Sequence, residues 1–370
     1  MRTIAFDLGQ VLFDFNYNLA LNKLKDKLKV TPQEVIYALY EKDFALDFEK
    51  GLDKPYDFYL RFKENFLKEI SYNEFVDAWC DIFIPKKEVI EIAKRVSLIY
   101  PTYLISNINK LHFDFLYKRY KEVFDIFDKL ILSYEVKSIK PELEIYKLLT
   151  EPENIDFKDI IYIDDREDLI REAVLFGLDC IKFDGLDNLM VELKKRNVIL
   201  PHLNDLDVLY NFKKIINSYK KVLFVGIGNI LRCDDGVGAR VIEAVKDKVF
   251  FDTLIVNECF ENYIGRISKI DYDLIVFLDA GEFKEDNYFK LLNKESLRSV
   301  SLYSTHDCSL DLNIKYLKNF KNFDIVILVI KGLNFDLCDN LSIETKNAKF
   351  ILENFLLKNF SLPKAINEKV

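Results

Sequence analysis

The sequence is poor in the residues that build compact metal and disulfide sites. Its 370 residues include only three histidines and six cysteines. No two cysteines form a Cys-x-x-Cys pair, which argues against a zinc ribbon or a disulfide framework and fits a reducing cytoplasm. Because His112, His202 and His306 are the only histidines in the sequence, each can be considered separately as a metal ligand.

Long apolar runs and an excess of positive charge are also missing. No stretch approaches the roughly 20 apolar residues that cross a membrane. The amino terminus lacks the basic start and long apolar core of a signal peptide, so we expect a cytoplasmic protein. The net charge of −8 argues against a nucleic-acid-binding protein. Half of the residues are hydrophobic, which is enough for the cores of two or three domains.

In the first half, polar side chains stand where predicted strands end. These are, in chain order, Asp7 after strand 3–6, Ser106 after strand 100–105, and Asp164 and Asp165 after strand 160–163. Carboxylates at adjacent strand ends can hold Mg²⁺, which takes oxygen ligands. Lys140 and the Ser106 hydroxyl can then hold a phosphate. The pattern predicts phosphoryl transfer around one carboxylate nucleophile.

The order of these motifs resembles the haloacid dehalogenase-like (HAD) hydrolase superfamily over about residues 1–200. The matching segments are FDLGQVLFDF at 6–15, LISN at 104–107, KPELEIY at 140–146 and YIDDREDLIREA at 162–173. The resemblance implies a Rossmann-like core with a helical cap at about residues 16–96 and a phosphorylated small-molecule substrate. By the same resemblance, Asp7 is the nucleophile, Ser106 and Lys140 bind the phosphoryl group, and Mg²⁺ is held by Asp7, Asp164 and Asp165.

One position departs from that family. Most phosphatases of the superfamily carry a second Asp, the general acid/base, two residues after the nucleophile, where this chain has Gly9. Some sugar-phosphate phosphatase-like members also read Asp-Leu-Gly there. Without a positioned acid, protonation of the leaving group is slower by about 10²–10⁴. The first half therefore remains either an active phosphatase or a domain kept for binding.

The junction between the halves contains no Gly/Ser-rich or Pro-rich stretch. Pro201 ends the preceding helix, and the apolar spacing of 205–219 predicts another. We expect a helical linker at 201–220 and a second domain at 221–370. The predicted fold class is α/β, with two domains that are each a mostly parallel sheet flanked by helices.

The second half is organised around residues 222–243. An apolar run is followed by Gly226 and Gly228, then by Asp234 and Asp235, and then by a helical pattern. This order predicts a strand, a turn at the carboxyl edge of the sheet, where α/β proteins bind ligands, and a helix.

Two further residues extend that set. Asp279 follows the predicted strand 274–278, and His306 precedes an amphipathic helix. Together with Asp235 they form a mixed nitrogen and oxygen set that suits a divalent metal such as nickel. Considered alone, His306 is typical of a helix-capping or core histidine, and Asp279 is typical of an aspartate in a turn.

In combination, the motifs resemble the hydrogenase maturation endopeptidases (HycI/HybD-like peptidases) over about residues 221–357. The matching segments are GIGNILRCDDGVG at 226–238, LDAGEF at 278–283 and THDCSL at 305–310. The resemblance implies that Asp235, Asp279 and His306 bind metal, with Ni²⁺ supplied by the substrate. That substrate is the precursor of a nickel-containing hydrogenase large subunit, which loses a C-terminal peptide. Phe260 and the segment VIKG at 329–332 depart from the family pattern.

Other interpretations remain beside the peptidase. A dinucleotide-binding domain is disfavoured because the third glycine position holds Leu231 and two aspartates would repel a pyrophosphate. A cysteine hydrolase using Cys308 beside His306 lacks a visible orienting group. A non-catalytic maturation scaffold, or a phosphatase with an accessory peptidase-like domain, is compatible with Gly9 and the VIKG segment.

Overall fold

The computed structural model describes residues 2–41, 44–151, 155–257, 261–267, 271–292 and 323–362. The chain divides into two compact units, Met1–Val198 and Ile199–Val370. Each unit is an α/β fold, as the sequence predicted. Within the described ranges, no helix combines the length and apolar character that a bilayer crossing requires.

The first unit is built on a sheet of five parallel strands. Its strands, including a short pair outside the sheet, are β1 (Thr3–Phe6), β2 (Phe13–Phe15), β3 (Phe83–Pro85), β4 (Thr102–Ser106), β5 (Lys129–Leu132), β6 (Ile160–Asp164) and β7 (Asp179–Lys182). The sheet order is β5-β4-β1-β6-β7, so β1 lies at the centre. Every residue of β1, β4 and β6 is buried, which explains why these strands read as continuous apolar runs. Their carboxyl ends bring Asp7, Ser106 and Asp164 to one edge.

A helical insertion follows β2 and returns through β3, which pairs antiparallel with it. Its helices are α1 (Tyr17–Leu24), α2 (Pro32–Glu41), α3 (Leu46–Glu49), α4 (Pro55–Phe66) and α5 (Tyr72–Cys80). Proline at its first position begins α4, and a capping box between Ser71 and Glu74 begins α5. The insertion has its own core of stacked aromatic side chains, in which Trp79 contacts Phe62 and Phe75.

The remaining helices of the first unit accompany the sheet. They are α6 (Lys87–Ser97), α7 (Lys110–Arg119), α8 (Lys121–Phe124), α9 (Ser133–Val136), α10 (Leu143–Lys147), α11 (Glu167–Leu175) and α12 (Leu186–Lys195). The cap was expected to extend to about residue 96, which would include most of α6. In the structure, α6 packs against β4 of the central sheet.

The second unit contains a five-stranded mixed sheet in the order β11-β12-β10-β8-β9. Its strands are β8 (Val222–Ile227), β9 (Asp252–Val256), β10 (Leu274–Gly281), β11 (Phe289–Leu292) and β12 (Asp324–Lys331). All neighbours are parallel except β11, an antiparallel edge strand that the sequence pattern did not predict. The helices among the described residues of this unit are α13 (Leu203–Asn217), α14 (Val237–Val245), α15 (Glu261–Ile267) and α16 (Ile343–Phe360).

The segment expected as a linker forms α13, and this helix is anchored inside the second unit. The buried carboxylate of Asp205 accepts hydrogen bonds from the backbone N–H groups of Tyr288 (2.9 Å), Phe289 (3.0 Å) and His202 (2.9 Å). One side chain therefore caps the start of α13 and fixes it to β11.

Candidate functional sites

The first candidate site lies at the carboxyl edge of the first sheet and is centred on Lys140. The Lys140 ammonium is 3% exposed and donates to Asp7 Oδ1 and to Asp164 Oδ2, both at 2.7 Å. These are buried, charge-assisted hydrogen bonds, which are stronger than neutral ones. The site thus holds a cation between two carboxylates that come from adjacent strands.

Asn107 positions Lys140. Its side-chain oxygen accepts from the Lys140 backbone N–H at 2.8 Å, and its amide nitrogen donates to the Lys140 carbonyl at 3.0 Å. Asn107 directly follows Ser106 in the LISN segment, and both polar atoms of its side-chain amide hold the backbone of Lys140.

The burial of this cluster shifts its protonation equilibria. Burial raises the pKa of Asp7, with the Lys140 charge opposing that shift. Burial alone would lower the pKa of Lys140, but the charges of Asp164 and Asp7 outweigh it and raise that pKa. The Lys140 ammonium therefore stays protonated at neutral pH.

Three carboxylates of the site can hold a metal ion. One oxygen each from Asp7, Asp164 and Asp165 lie within 4.8 Å of one another. A cluster of carboxylate oxygens at the end of a sheet matches the donor preference of Mg²⁺. Asp165 is half-buried, and burial together with the Asp164 charge raises its pKa, so a cation would relieve the repulsion.

The sequence analysis missed Tyr162. Its hydroxyl is hydrogen-bonded to Asp164 Oδ2, beneath the Lys140 contact. Burial and the Asp164 charge raise the pKa of Tyr162, so the phenol stays a donor. The signal was available in the sequence, since Tyr162 stands two residues before Asp164 on the same strand and therefore on the same face.

Phe15 occupies the space beside Gly9, where the family places its second carboxylate. A Cβ added at Gly9 would lie 2.9 Å from Phe15 Cε1 and 4.0 Å from Asp7 Oδ2. An aromatic edge therefore stands where a general acid would need to fit. Ser106 is buried at the end of β4, next to β1, as predicted from its strand position.

The second candidate site is shaped by glycines that let β8, α14 and β10 approach closely. A Cβ at Gly238 would lie 2.1 Å from the carbonyl oxygen of Leu278, the residue before Asp279. Gly228 has φ +128°, and a Cβ there would lie 1.8 Å from the carbonyl oxygen of Asp235. Only glycine fits at these two positions, and their contacts bring the Asp235 loop against the end of β10.

Asp235 and Asp279 are both 1% exposed and electrostatically coupled. Asp235 Oδ2 accepts from the Asn229 N–H at 2.7 Å, and Asp279 Oδ1 accepts from the Ala280 N–H at 2.9 Å. Asp279 Oδ2 has no hydrogen-bond partner among the described residues. Burial and the nearby Asp235 charge raise the pKa of Asp279 to about 7. A buried carboxylate oxygen without a donor is suited to receive a cation.

Asp279 was expected directly after strand 274–278, and the structure places it within the strand instead. It lies inside β10, opposite Val329 of β12, and the strand continues to Gly281. His306, Cys308 and Phe260 lie outside the described residues, as does the backbone of the THDCSL segment. The described chain thus supplies two of the three predicted nickel ligands.

Asp234, the residue before Asp235, binds backbone N–H groups of a loop that is distant along the chain. Its Oδ2 accepts from the N–H groups of Leu333 (2.8 Å) and Asn334 (3.0 Å), and its Oδ1 from that of Ser342 (2.7 Å). Burial would raise the pKa of Asp234, but these hydrogen bonds lower it below the ordinary value. This carboxylate is fully engaged in fixing the loop between β12 and α16.

A disulfide joins the same two loops, which corrects the expectation drawn from the scattered cysteines. Cys233 and Cys338 are bonded, with Cα atoms 4.8 Å apart across a separation of 105 residues. The Cys233 N–H also donates to the Cys338 carbonyl at 2.7 Å. Sequence spacing revealed no pair because the two cysteines meet only through the tertiary fold.

Comparison with known proteins separates the two units. No protein-family model matches the chain. A Methanocaldococcus jannaschii protein assigned as a hydrogenase maturation protease is 27% identical over 157 residues, which are 39% of this chain and 90% of that protein. The NiFe hydrogenase maturation protease HycI from Thermococcus kodakarensis is 28% identical, with 40% of this chain and 98% of that chain covered and a TM-score of 0.35.

The other half matches different structures. A HAD-family enzyme from Bacteroides thetaiotaomicron is 28% identical, with 50% of this chain and 96% of that chain covered and a TM-score of 0.47. The chain is similar to two kinds of hydrolase joined in one polypeptide. Its first half is similar to HAD-family enzymes and its second half to hydrogenase maturation proteases, and the sequence match of the second half confirms the resemblance stated from its motifs.

Proposed function

We propose that the second unit is an endopeptidase that removes a C-terminal peptide from the precursor of a nickel-containing hydrogenase large subunit. The observation that carries this proposal is the buried Asp235/Asp279 pair, in which Asp279 Oδ2 has no described donor. The similarity to an assigned maturation protease over 90% of that protein's length supports it.

In this proposal the nickel belongs to the substrate. The nickel of the precursor is recognised by the carboxylates of Asp235 and Asp279 and by the imidazole of His306. Two oxygens and one nitrogen suit a divalent transition metal. Binding would bring a cation against two buried carboxylates, which offsets the cost of their burial. A precursor without nickel offers no such compensation and is expected to bind poorly.

The test is cleavage of the purified precursor, loaded with nickel, followed by mass spectrometry. Wild-type protein should shorten the precursor at its C-terminus, and Asp235→Asn and Asp279→Asn should each abolish the mass loss. Asp339→Asn is the matched control, because Asp339 is an exposed carboxylate on the neighbouring loop. Binding of the loaded precursor without any shortening, by wild-type protein, would favour the scaffold instead.

We propose that the first unit is a Mg²⁺-dependent phosphohydrolase with Asp7 as nucleophile. The contacts of Lys140 with Asp7 and Asp164 carry this proposal, because they place a permanent cation beside a candidate nucleophile. Asp7, Asp164 and Asp165 would hold the Mg²⁺, which would supply charge neutralisation for the phosphoryl oxygens.

The chemistry then follows from the side chains. A carboxylate oxygen of Asp7 bonds to phosphorus as the bond from phosphorus to the leaving alcohol oxygen breaks. Water next attacks the aspartyl phosphate, which releases inorganic phosphate and restores Asp7. Lys140 and Ser106 hold the phosphoryl oxygens throughout. The leaving oxygen must take its proton from water, because Phe15 borders the place of a carboxylic acid at position 9.

Phosphate release from a panel of sugar phosphates and nucleotides, with Mg²⁺, tests this reading. Turnover should vanish in Asp7→Asn and persist in Asp187→Asn, an exposed aspartate of the same unit. If wild-type protein releases no phosphate from any compound, the first unit is a binding domain and the proposed phosphohydrolase is wrong.

A further inference from the structure

Exposed apolar side chains of the second unit concentrate on the two loops beside Asp235. Among the residues described there, nine large apolar side chains are exposed, and five of them form what we name the apolar rim: Ile230, Leu231, Leu333, Leu337 and Ile343. Leu231 is 63% exposed and Leu337 is 82% exposed. Single exposed apolar residues are ordinary, whereas a concentration of them marks an interaction site.

Backbone contacts join the two loops that carry the apolar rim. The Cys338 N–H donates to the Leu231 carbonyl at 3.0 Å, so Leu231 lies beside the residue that follows Leu337. The Arg240 guanidinium donates to the carbonyls of Ile230 (2.9 Å) and Asp339 (2.7 Å). The rim residues of the first loop therefore lie next to those of the second.

The loops that carry the apolar rim also adjoin the segment of Asp234 and Asp235. Leu231 stands four residues before Asp235, and the Leu333 N–H donates to Asp234. The disulfide and the three hydrogen bonds of Asp234 fix both loops before any partner arrives. A surface that is already ordered loses little conformational entropy on binding, which favours affinity.

We propose that the apolar rim is the docking surface for the hydrogenase precursor and receives an apolar face of that protein next to its scissile segment. This inference rests on the proposed peptidase function. A protein that delivers its metal to Asp235 must cover the loop on which Ile230 and Leu231 stand. A second copy of this chain seated there would obstruct the same approach, so the precursor is the occupant that the geometry favours.

Binding and cleavage of the nickel-loaded precursor by a Leu231→Ser/Leu337→Ser variant test the inference. Both side chains are exposed, so the variant should fold like the wild type. We expect its Kd for the immobilised precursor to rise about tenfold or more, as for loss of two anchoring residues at an interface. At saturating precursor, kcat should stay within about twofold, because the site carboxylates are untouched. Leu203→Ser, 57% exposed in the same unit, is the control and should change neither value.

The outcomes separate the two proposals. Cleavage and binding that match the wild type in the double variant would overturn the docking surface and leave the peptidase intact. Binding that is lost in the double variant, from a protein that never cleaves, would support the docking surface while rejecting the peptidase. Wild-type protein that neither binds nor cleaves the precursor would overturn both. A wild-type dimer, seen by light scattering, that becomes monomeric in the double variant would assign the rim to self-association and overturn the inference.

Discussion

The two candidate sites differ in the source of the positive charge that compensates their buried acidic side chains. In the first unit, Lys140 supplies a cation at 2.7 Å to both Asp7 and Asp164. In the second unit, Asp235 and Asp279 share a buried site, and Asp279 Oδ2 has no donor among the described residues. The first arrangement is compensated by the chain itself, whereas the second gains most when a cation comes from outside.

This contrast matches the two proposed chemistries. A phosphohydrolase benefits from a fixed positive charge that meets each phosphoryl group, and Lys140 supplies it. A peptidase that recognises a metal already held by its substrate benefits from a buried carboxylate oxygen, Asp279 Oδ2, that has no hydrogen-bond donor among the described residues. Both sites lie at the carboxyl end of a sheet, and Lys140 is the cation that the first site supplies to its own carboxylates.

The largest expected effect comes from Lys140→Met, which removes the internal cation. Two buried carboxylates would then face each other, and the first unit should lose about 3–5 kcal/mol of stability. The single tryptophan, Trp79, lies in this unit, so its fluorescence during urea unfolding reports the first unit separately. Lys147→Met, a change at an exposed lysine of α10, should alter the midpoint very little. A Lys140→Met midpoint equal to the wild-type midpoint would remove the contrast between the sites.

The next largest loss of stability should come from removal of the Cys233–Cys338 disulfide in the second unit. A Cys233→Ser/Cys338→Ser variant should lose about 2–4 kcal/mol, because the bond closes a long loop of the unfolded chain. Hydrogen exchange of β8 and β10 amides, measured by mass spectrometry, would report this loss. A reducing agent should produce the same change in the wild type and none in the variant. Equal protection in all samples would contradict the assigned bond.

Asp234→Ala should cost about 2–3 kcal/mol, because three backbone N–H groups lose a charged acceptor. Faster exchange is expected at Leu333, Asn334 and Ser342, while the first unit, followed through Trp79, should not change. Asp336→Ala is the matched control, since Asp336 is exposed on the same loop. Loss limited to metal affinity, with normal loop protection, would instead make Asp234 a ligand.

The smallest effect, compared at pH 5, should come from Asp279→Asn, and it should have the opposite sign. Since the pKa of Asp279 is raised to about 7, the wild type loses stability as the pH rises from its unfolded value near 4 through 7. Without metal, the variant should be more stable than the wild type by about 1–2 kcal/mol at pH 5, and the two should be equally stable at about pH 3. Hydrogen exchange of β10 in the presence of a chelator measures this. A variant less stable than the wild type at pH 8 would show that Asp279 is already compensated.

Much of the fold followed from local patterns. The buried parallel strands appeared as apolar runs, and the glycines around Asp235 indicated a strand–turn–helix order. The edge strand β11 was not predicted because a segment of four residues next to a polar turn shows little periodicity in its hydrophobic pattern. The continuation of β10 through Asp279 was not predicted because a charged residue is disfavoured inside a strand.

The candidate sites were predictable in membership and less so in roles. Strand ends identified Asp7, Ser106, Asp164 and Asp235 because parallel strands finish at one edge. Asn107 and Asp234 bind backbone groups, and only the folded geometry reveals such partners. The Cys233–Cys338 bond likewise depends on loops that are distant along the chain.

The anchoring of α13 by Asp205 has a practical consequence for dividing the molecule. A shortened chain beginning at residue 221 would leave the Tyr288 and Phe289 N–H groups without their acceptor and uncover the face of β8 that Phe212 contacts through Phe224. A study of the second unit by itself should therefore begin the chain at residue 199, so that α13 is retained with the sheet.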